Sequence, residues 1–273
     1  MLVQLINLDA RPDRLEVFAA RAAEIGLSFE RLAASDGSHP RFARAAGSIP
    51  PTRIGEVVGP RGLACIDSHR RAWEALLARD EAACAVFEDD VYLASDTAAI
   101  LDDPSWLPEG ADVVRLETML IRATIGPAAS RTATGRGVHR LRSIHMGTAG
   151  YVVTRAGARR LLDGTERPFD TADRMMFDFR TPFSRGLETY QMTPAPCVQA
   201  ENAGGAAPSW GHSDILAERL GGRSADGPRR RVGEAARHLV DRATKAGRGI
   251  RAALLHGSRY RRIPYAPVPP GGA

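Results

Sequence analysis

The feature that most constrains this chain is an apolar strand that runs directly into acid. Cys84-Ala85-Val86-Phe87 is followed by Glu88-Asp89-Asp90, and Val91-Tyr92-Leu93 then resumes the apolar pattern. Adjacent carboxylates repel one another, so their placement at the end of a buried strand calls for a cation or a proton among them. Side chains alternate along a strand, which sets Glu88 and Asp90 on one side and Asp89 on the other. Two carboxylates can hold one hard divalent ion, and that ion can hold a diphosphate. An acidic turn exposed to water is the competing reading of the same residues.

The chain has 273 residues, 44% of them hydrophobic, enough for one large domain or a domain with an appendage. It has no apolar run of about 18 residues, and Met1-Leu2-Val3-Gln4-Leu5-Ile6 carries no basic leader. The expectation is a protein that is neither exported nor membrane-spanning. Cys65, Cys84 and Cys197 are widely spaced and odd in number, which suits neither a disulfide framework nor a zinc site and points to the reducing cytoplasm. Charge is uneven: Arg223 to Arg262 holds twelve basic residues against Asp226, Glu234 and Asp241, a net +9, which leaves −4 of the total +5 for the rest. A body of opposite sign argues against a nucleic-acid partner.

Periodicity predicts an α/β order. Leu2 to Leu8 reads as a strand, and Leu15, Phe18, Ala19, Ala22 and Ile25 recur at helical spacing until Gly26. Phe29 to Ala33 reads as a second strand, followed by a long loop from Gly37 to Gly62. A helix marked by Leu63, Ile66, Ala72, Trp73, Leu76 and Leu77 leads into the acidic strand. Strands at Asp112 to Leu116 and Thr148 to Thr154 flank a turn-rich region, and a helix spans Ala156 to Leu162. In a parallel sheet the carboxyl ends of the strands share one edge, where ligands bind. Asn7, Asp9 and the Glu88-Asp89-Asp90 group fall on that edge. Arg11 and Arg14 can then reach a diphosphate or ribose, or else lie on a solvated helix face. Asn7 can pin a ligand or form a turn.

Four ordered segments resemble glycosyltransferase family 25, which includes lipooligosaccharide and collagen galactosyltransferases. They are Ile6-Asn7-Leu8-Asp9-Ala10-Arg11-Pro12-Asp13-Arg14, Gly62-Leu63-Ala64-Cys65-Ile66-Asp67-Ser68-His69 with Trp73 beyond it, Phe87-Glu88-Asp89-Asp90-Val91, and Gly147-Thr148-Ala149-Gly150-Tyr151-Val152-Val153-Thr154. In the second, Ala64 stands in for the family's glycine and Asp67 for an apolar residue. Ser213-Asp214-Ile215 is a weaker echo. The resemblance implies an A-type, Rossmann-like nucleotide-sugar-binding fold and an inverting transfer of a hexose, with galactose the first candidate, from a UDP-sugar to a glycan or glycolipid such as lipooligosaccharide. It also implies Mn²⁺ or Mg²⁺ on the acidic motif, with Asp90 and Glu88 as ligands and Asp89 reaching ribose or water; His212 is the candidate for a late ligand, or else a loop histidine. Tyr151 falls within the fourth segment and counts among the substrate-binding candidates.

Ser68 and His69 sit in the helix leading to the acidic strand and can face the nucleotide, or His69 can satisfy a core hydrogen bond. A metal role for His69 is disfavoured by the absence of a second ligand at i+4. Inverting transfer needs a base, for which Asp170, Asp173, Asp178, Glu117 and Asp214 are the carboxylates available; Asp170 is the first candidate and Asp173 the second, and Asp170 also suits a helix N-cap. Residues 1–221 are read as the catalytic domain and 222–273 as a basic, partly helical tail with a disordered end from Pro264. The stripe Val232, Ala236, Leu239, Val240, Ala243, Ile250 and Leu254, with arginines between, suits an anionic membrane surface at the inner face of the plasma membrane as well as a solvated helix. A metal-dependent phosphoester hydrolase and a non-catalytic nucleotide-sugar or membrane-binding module remain the alternatives.

Overall fold

The computed structural model describes residues 1–52, 56–204, 208–211 and 257–269. In chain order the elements are β1 (Leu2–Asn7), α1 (Pro12–Glu24), β2 (Glu30–Ala33), α2 (Pro40–Ala46), α3 (Pro60–Leu77), β3 (Ala83–Glu88), β4 (Val91–Leu93) and α4 (Thr97–Asp102). Then come β5 (Val113–Arg115), β6 (Arg122–Arg131), β7 (Gly137–Leu141), β8 (Gly150–Thr154), α5 (Arg155–Gly164), α6 (Ala172–Phe177), α7 (Pro182–Gly186), β9 (Thr189–Thr193), β10 (Cys197–Gln199) and β11 (Arg259–Arg262).

The expected α/β class is what the chain adopts. Nine strands form one sheet in the order β11-β6-β7-β9-β5-β8-β3-β1-β2, and β4 pairs with β10 in a separate ribbon. All six residues of β1 are buried, the signature of a strand covered on both faces. β1 runs parallel to both β2 and β3, so Asn7 and Glu88 reach the same edge, as the strand-end argument requires. The sheet is mixed: β8 lies antiparallel between β3 and β5.

Strand alternation sorts the core into two layers. Val3, Leu5, Ala85 and Phe87 face the side that holds Phe18 and Ala22 of α1. Leu2, Ile6, Cys84, Val86, Tyr151 and Val153 face Trp73 and Leu76 of α3 and Leu161 of α5. The same parity continues past the apolar residues: Glu88 falls on the α3 side and Asn7 on the α1 side. Helix starts follow local chemistry. α1 and α3 carry proline in their first turn, where a missing N–H costs nothing, and the Thr154 hydroxyl caps α5 by accepting from the Gly157 amide at 3.1 Å.

Three expectations are corrected. The segment from Gly37 to Gly62 is not without structure: it contains α2, whose Phe42 packs with Leu63 and Ile66 of α3. The turn-rich region before Arg142 contains β6 and β7. Most significant, the segment after Pro264 is ordered at least to 269. β11 adds to β6 in antiparallel register, Ile263 is fully buried beside Ile125 and Ala195, and the Ser95 amide donates to the Pro267 carbonyl at 2.8 Å. Arg136, itself buried, is paired with Asp96 at 2.6 Å and also donates to the Ala266 carbonyl at 2.9 Å. Residues 257–269 therefore belong to the folded body rather than to an appendage. The helical stripe from Val232 to Leu254 lies outside the described residues.

Ile263→Ala should cost about 2–4 kcal/mol, the usual penalty for emptying a filled core position. Urea unfolding checks it; a midpoint equal to that of the parent chain would show that this segment does not contribute to the body.

Candidate active site

A cavity of about 340 Å³ opens at the shared carboxyl edge of β1 and β3. Its walls combine the three acids Glu88, Asp89 and Asp90 with Arg11 and Arg14 of the α1 turn and Ser68 and His69 of α3. Three segments distant in sequence thus meet there, because β1 and β3 are hydrogen-bonded neighbours and α3 packs against both.

Each acid is handled differently. Asp89 is buried, and its oxygens accept from Arg14 Nη1 at 3.0 Å and from Asn7 Nδ2 at 2.7 Å. Burial pushes its carboxyl up, against the pull of Asn7 and Arg14. Glu88 accepts from the Thr148 hydroxyl at 2.7 Å and lies 3.3 Å from His69 Nε2. Burial works to raise its carboxyl, but the contacts with His69 and Thr148 hold it below the ordinary value. Asp90 is the acid with the weakest contacts of the three: it is buried, and the Gln199 amide touches its oxygens at only 3.3 and 3.5 Å. Burial and then the charge of Glu88 push its carboxyl up to about 7. Behind them Glu117, fully buried, accepts from the Ala149 amide at 2.9 Å, and burial pushes it up to about 8. Gly147 makes room for it: φ is +102°, and a Cβ there would fall 2.4 Å from Glu117 Oε1.

The sequence candidates divide accordingly. Glu88, Asp90, Arg11, Arg14, Ser68, His69 and Asp89 all line the cavity. Arg14 is not on a solvated face: it is buried and also donates to the Trp210 carbonyl at 2.8 Å, as Arg11 does at 3.2 Å. Asn7 has the role of a brace. Its amide serves Asp89 and the Arg11 carbonyl at 3.0 Å, and its oxygen accepts from Arg31 at 2.8 Å. Asp9 is exposed, pairs with Arg31, and is outside the cavity lining.

Tyr151 is fully buried in the middle of the sheet, so a direct substrate contact is corrected to a supporting one. Its hydroxyl lies 2.9 Å from His69 Nδ1 and accepts from Trp73 Nε1 at 2.8 Å. Neither Asp170 nor Asp173 lines the cavity. Asp170 accepts from the Thr171 amide at 2.8 Å and faces Arg174 at 3.4 Å, while the N-cap of α6 is Thr171, one residue later than expected. His212 and Ser213-Asp214-Ile215 lie outside the described residues.

Several participants carried no sequence signal of their own. Gln199 reaches Asp90 only because β10 pairs with β4. Trp210 enters through its backbone carbonyl, which no side-chain motif encodes. Asp67, which departs from the apolar residue expected at that place, is bonded to the Ser35 hydroxyl and to Arg41 at 2.8 Å, tying the loop after β2 to α3. The ligand-type neighbour of His69 is Cys65, four residues before it rather than after; Cys65, His69 and Glu88 each offer an atom within 4.8 Å of the others.

Residues 2–176 match the profile described as glycosyltransferase family 25 (LPS biosynthesis protein). The chain belongs to that family. It is 32% identical over 206 residues to the lacto-N-neotetraose biosynthesis glycosyltransferase LgtB of Neisseria gonorrhoeae, covering 71% of this chain and 73% of that protein. Identity to the lacto-N-neotetraose biosynthesis glycosyltransferase LgtE of Neisseria meningitidis serogroup B is 30% over 204 residues, 71% of this chain and 72% of that one. A solved glycosyltransferase involved in glycosylation of the major capsid of PBCV-1 aligns at 10% identity and a TM-score of 0.40, over 76% of this chain and 96% of its own. Gln199, Trp210 and β11 all lie beyond the part of this family 25 glycosyltransferase that the profile matches.

The Arg14–Asp89 pair should behave as a buried unit. Arg14→Met strands an ionised group and should cost about 3–5 kcal/mol, whereas Arg14→Met with Asp89→Asn should recover much of that loss. Urea unfolding of both variants and the parent distinguishes this from an additive result, which would mean the two groups do not interact.

Proposed function

We propose that this chain is a metal-dependent, inverting hexosyltransferase of the A-type fold, which moves a sugar, galactose the first candidate, from a UDP-sugar to a lipooligosaccharide-type glycan or glycolipid. The observation that carries the reading is the placing of Glu88 and Asp90 beside Arg11 and Arg14 in one cavity at the carboxyl edge of β1 and β3. Family membership and the lipooligosaccharide context in the names of the relatives support the acceptor class.

The donor set suits a hard cation. Glu88 and Asp90 offer carboxylate oxygens, and burial and the charge of Glu88 push the Asp90 carboxyl up to about 7 against the pull of Arg14, a strain that a Mn²⁺ or Mg²⁺ ion would relieve. Such an ion, held by Glu88 and Asp90, would supply charge neutralisation for the departing diphosphate. The protein's own groups do the rest. Arg11 and Arg14 present guanidinium donors on the same wall, where the diphosphate's negative charge grows as the sugar–phosphate bond breaks. Arg14 is already fixed by Asp89 and the Trp210 carbonyl, so it needs little reordering to act. The Thr148 hydroxyl and His69 hold Glu88 ionised, ready for a cation.

The net +9 between Arg223 and Arg262 motivates one further element of the proposal, a cytoplasmic enzyme held at the inner face of the plasma membrane. No helix among the described residues is long and apolar enough to cross a membrane.

A screen of UDP-sugars with and without Mn²⁺, reading released UDP in the presence of purified lipooligosaccharide as acceptor, tests the reading. The parent chain should release UDP from one hexose donor only with the metal. Asp90→Asn should lose at least about a hundredfold in turnover while keeping its unfolding midpoint. Equal turnover in Asp90→Asn, or full turnover in chelator, would remove the metal from the proposal.

A further inference from the structure

Glu88, which the proposed function pairs with Asp90, also faces α3 through His69. Cys65 and His69 are four apart on that helix and therefore on one of its faces. One atom of Cys65, one of His69 and one of Glu88 lie within 4.8 Å of one another. This is the spacing by which a single helix presents two ligands to one ion, with the third supplied from a strand.

We infer that Cys65, His69 and Glu88 form a second cation site, selective for a soft divalent ion of the zinc class, that shares Glu88 with the hard-ion pair. In tetrahedral coordination, nitrogen and oxygen ligands at about 2.0–2.1 Å from zinc stand roughly 3.3–3.4 Å apart. His69 Nε2 and Glu88 Oε1 are separated by 3.3 Å, already at that spacing. The thiol decides the ion's class: sulfur with imidazole favours Zn²⁺ and its congeners, whereas Mg²⁺ and Mn²⁺ prefer sites built of oxygen.

The surroundings are those of a supported ligand set. His69 Nδ1 lies 2.9 Å from the Tyr151 hydroxyl, and that hydroxyl is itself fixed by Trp73 Nε1 at 2.8 Å. The ring is thereby oriented with Nε2 toward Glu88. Turning the Tyr151 hydroxyl lets its oxygen accept from Nδ1–H, which frees the Nε2 lone pair for a metal; outer partners of this kind commonly set the tautomer of a ligating histidine. On the other flank, the Thr148 hydroxyl donates to Glu88 Oε1 at 2.7 Å and restrains the carboxylate. Cys65 is half-buried and lines the cavity together with His69 and Glu88, so an ion can enter and a water can complete its shell. Binding would exchange the thiol proton for the metal, releasing that proton to solvent. Because Glu88 serves both sites, a soft ion would draw it away from Asp90, making the two metals antagonists.

The site stands or falls independently of the transferase reading, because it can be read optically without any substrate. The full-length chain, reduced and stripped with chelator, is titrated with Cd²⁺ while the ultraviolet thiolate-to-metal charge-transfer band is followed. The expected result is a band that saturates at one ion per chain, is displaced by Zn²⁺, and is lost in Cys65→Ser, which retains Cys84 and Cys197 as internal controls. Zinc affinity by calorimetry should fall by about tenfold or more in the same variant. No band in the parent chain, or an equal band in Cys65→Ser, would overturn the site. A second measurement needs no variant: Zn²⁺ should slow alkylation of Cys65 by iodoacetamide, mapped by mass spectrometry. An unchanged alkylation rate at saturating Zn²⁺ would equally overturn it.

Discussion

Three consecutive carboxylates at the end of a buried strand carry an electrostatic cost, and the architecture around β3 is organised by the way that cost is met. Asp89 turns toward α1, where Arg14 and Asn7 hold it. Glu88 turns toward α3, where His69 and Thr148 hold it. Among the described residues Asp90 receives only long contacts, from Gln199, and its carboxyl is pushed up to about 7. The two turned acids fix α1 and α3 across the strand ends, and the third is left as the place where positive charge is worth most. A residue that costs folding energy and lies in a cavity is where a protein keeps chemistry.

The remainder of the sheet extends and closes that edge. Antiparallel β8 brings Gly147, Thr148 and Tyr151 under the acids, which a wholly parallel sheet would not do in the same order. The β4–β10 ribbon delivers Gln199 to Asp90, and the Trp210 carbonyl stands over Arg11 and Arg14. From the far end of the chain, β11 and Ile263 cover the outer strand β6, so a segment late in sequence contributes to the same body as the first strand.

What the sequence revealed and what it concealed follow from range. Unbroken apolar runs and helical spacing are local, and they placed β1, β3, β8, α1, α3 and α5 within a few residues. The strand-end argument located the cavity because parallel neighbours share an edge regardless of what lies between them. α2 was hidden by its length and by proline and glycine around it. β6 was hidden because half of it is exposed and its register is broken between Ile125 and Ala128 and again before Ser130. β11 reads Arg-Tyr-Arg-Arg, an edge strand whose charges resemble a solvated tail; only its partner β6 makes it a strand. Contacts made through backbone carbonyls, and the Cys65–His69 relation read in one direction only, were likewise beyond a motif search. Tyr151 was found by its motif, but its place on the α3 face of a central strand makes it a support and not a contact.

On the proposed function, Glu88 and Asp90 together would hold one hard cation beside a nucleotide diphosphate. Anomalous scattering from crystals grown with Mn²⁺ and UDP would show such an ion at its position. The expected result is a manganese peak within about 2.0–2.6 Å of oxygens from both Glu88 and Asp90, with the diphosphate as a further ligand near Arg11 and Arg14. Bound UDP in the cavity with no manganese peak at these two carboxylates would contradict it.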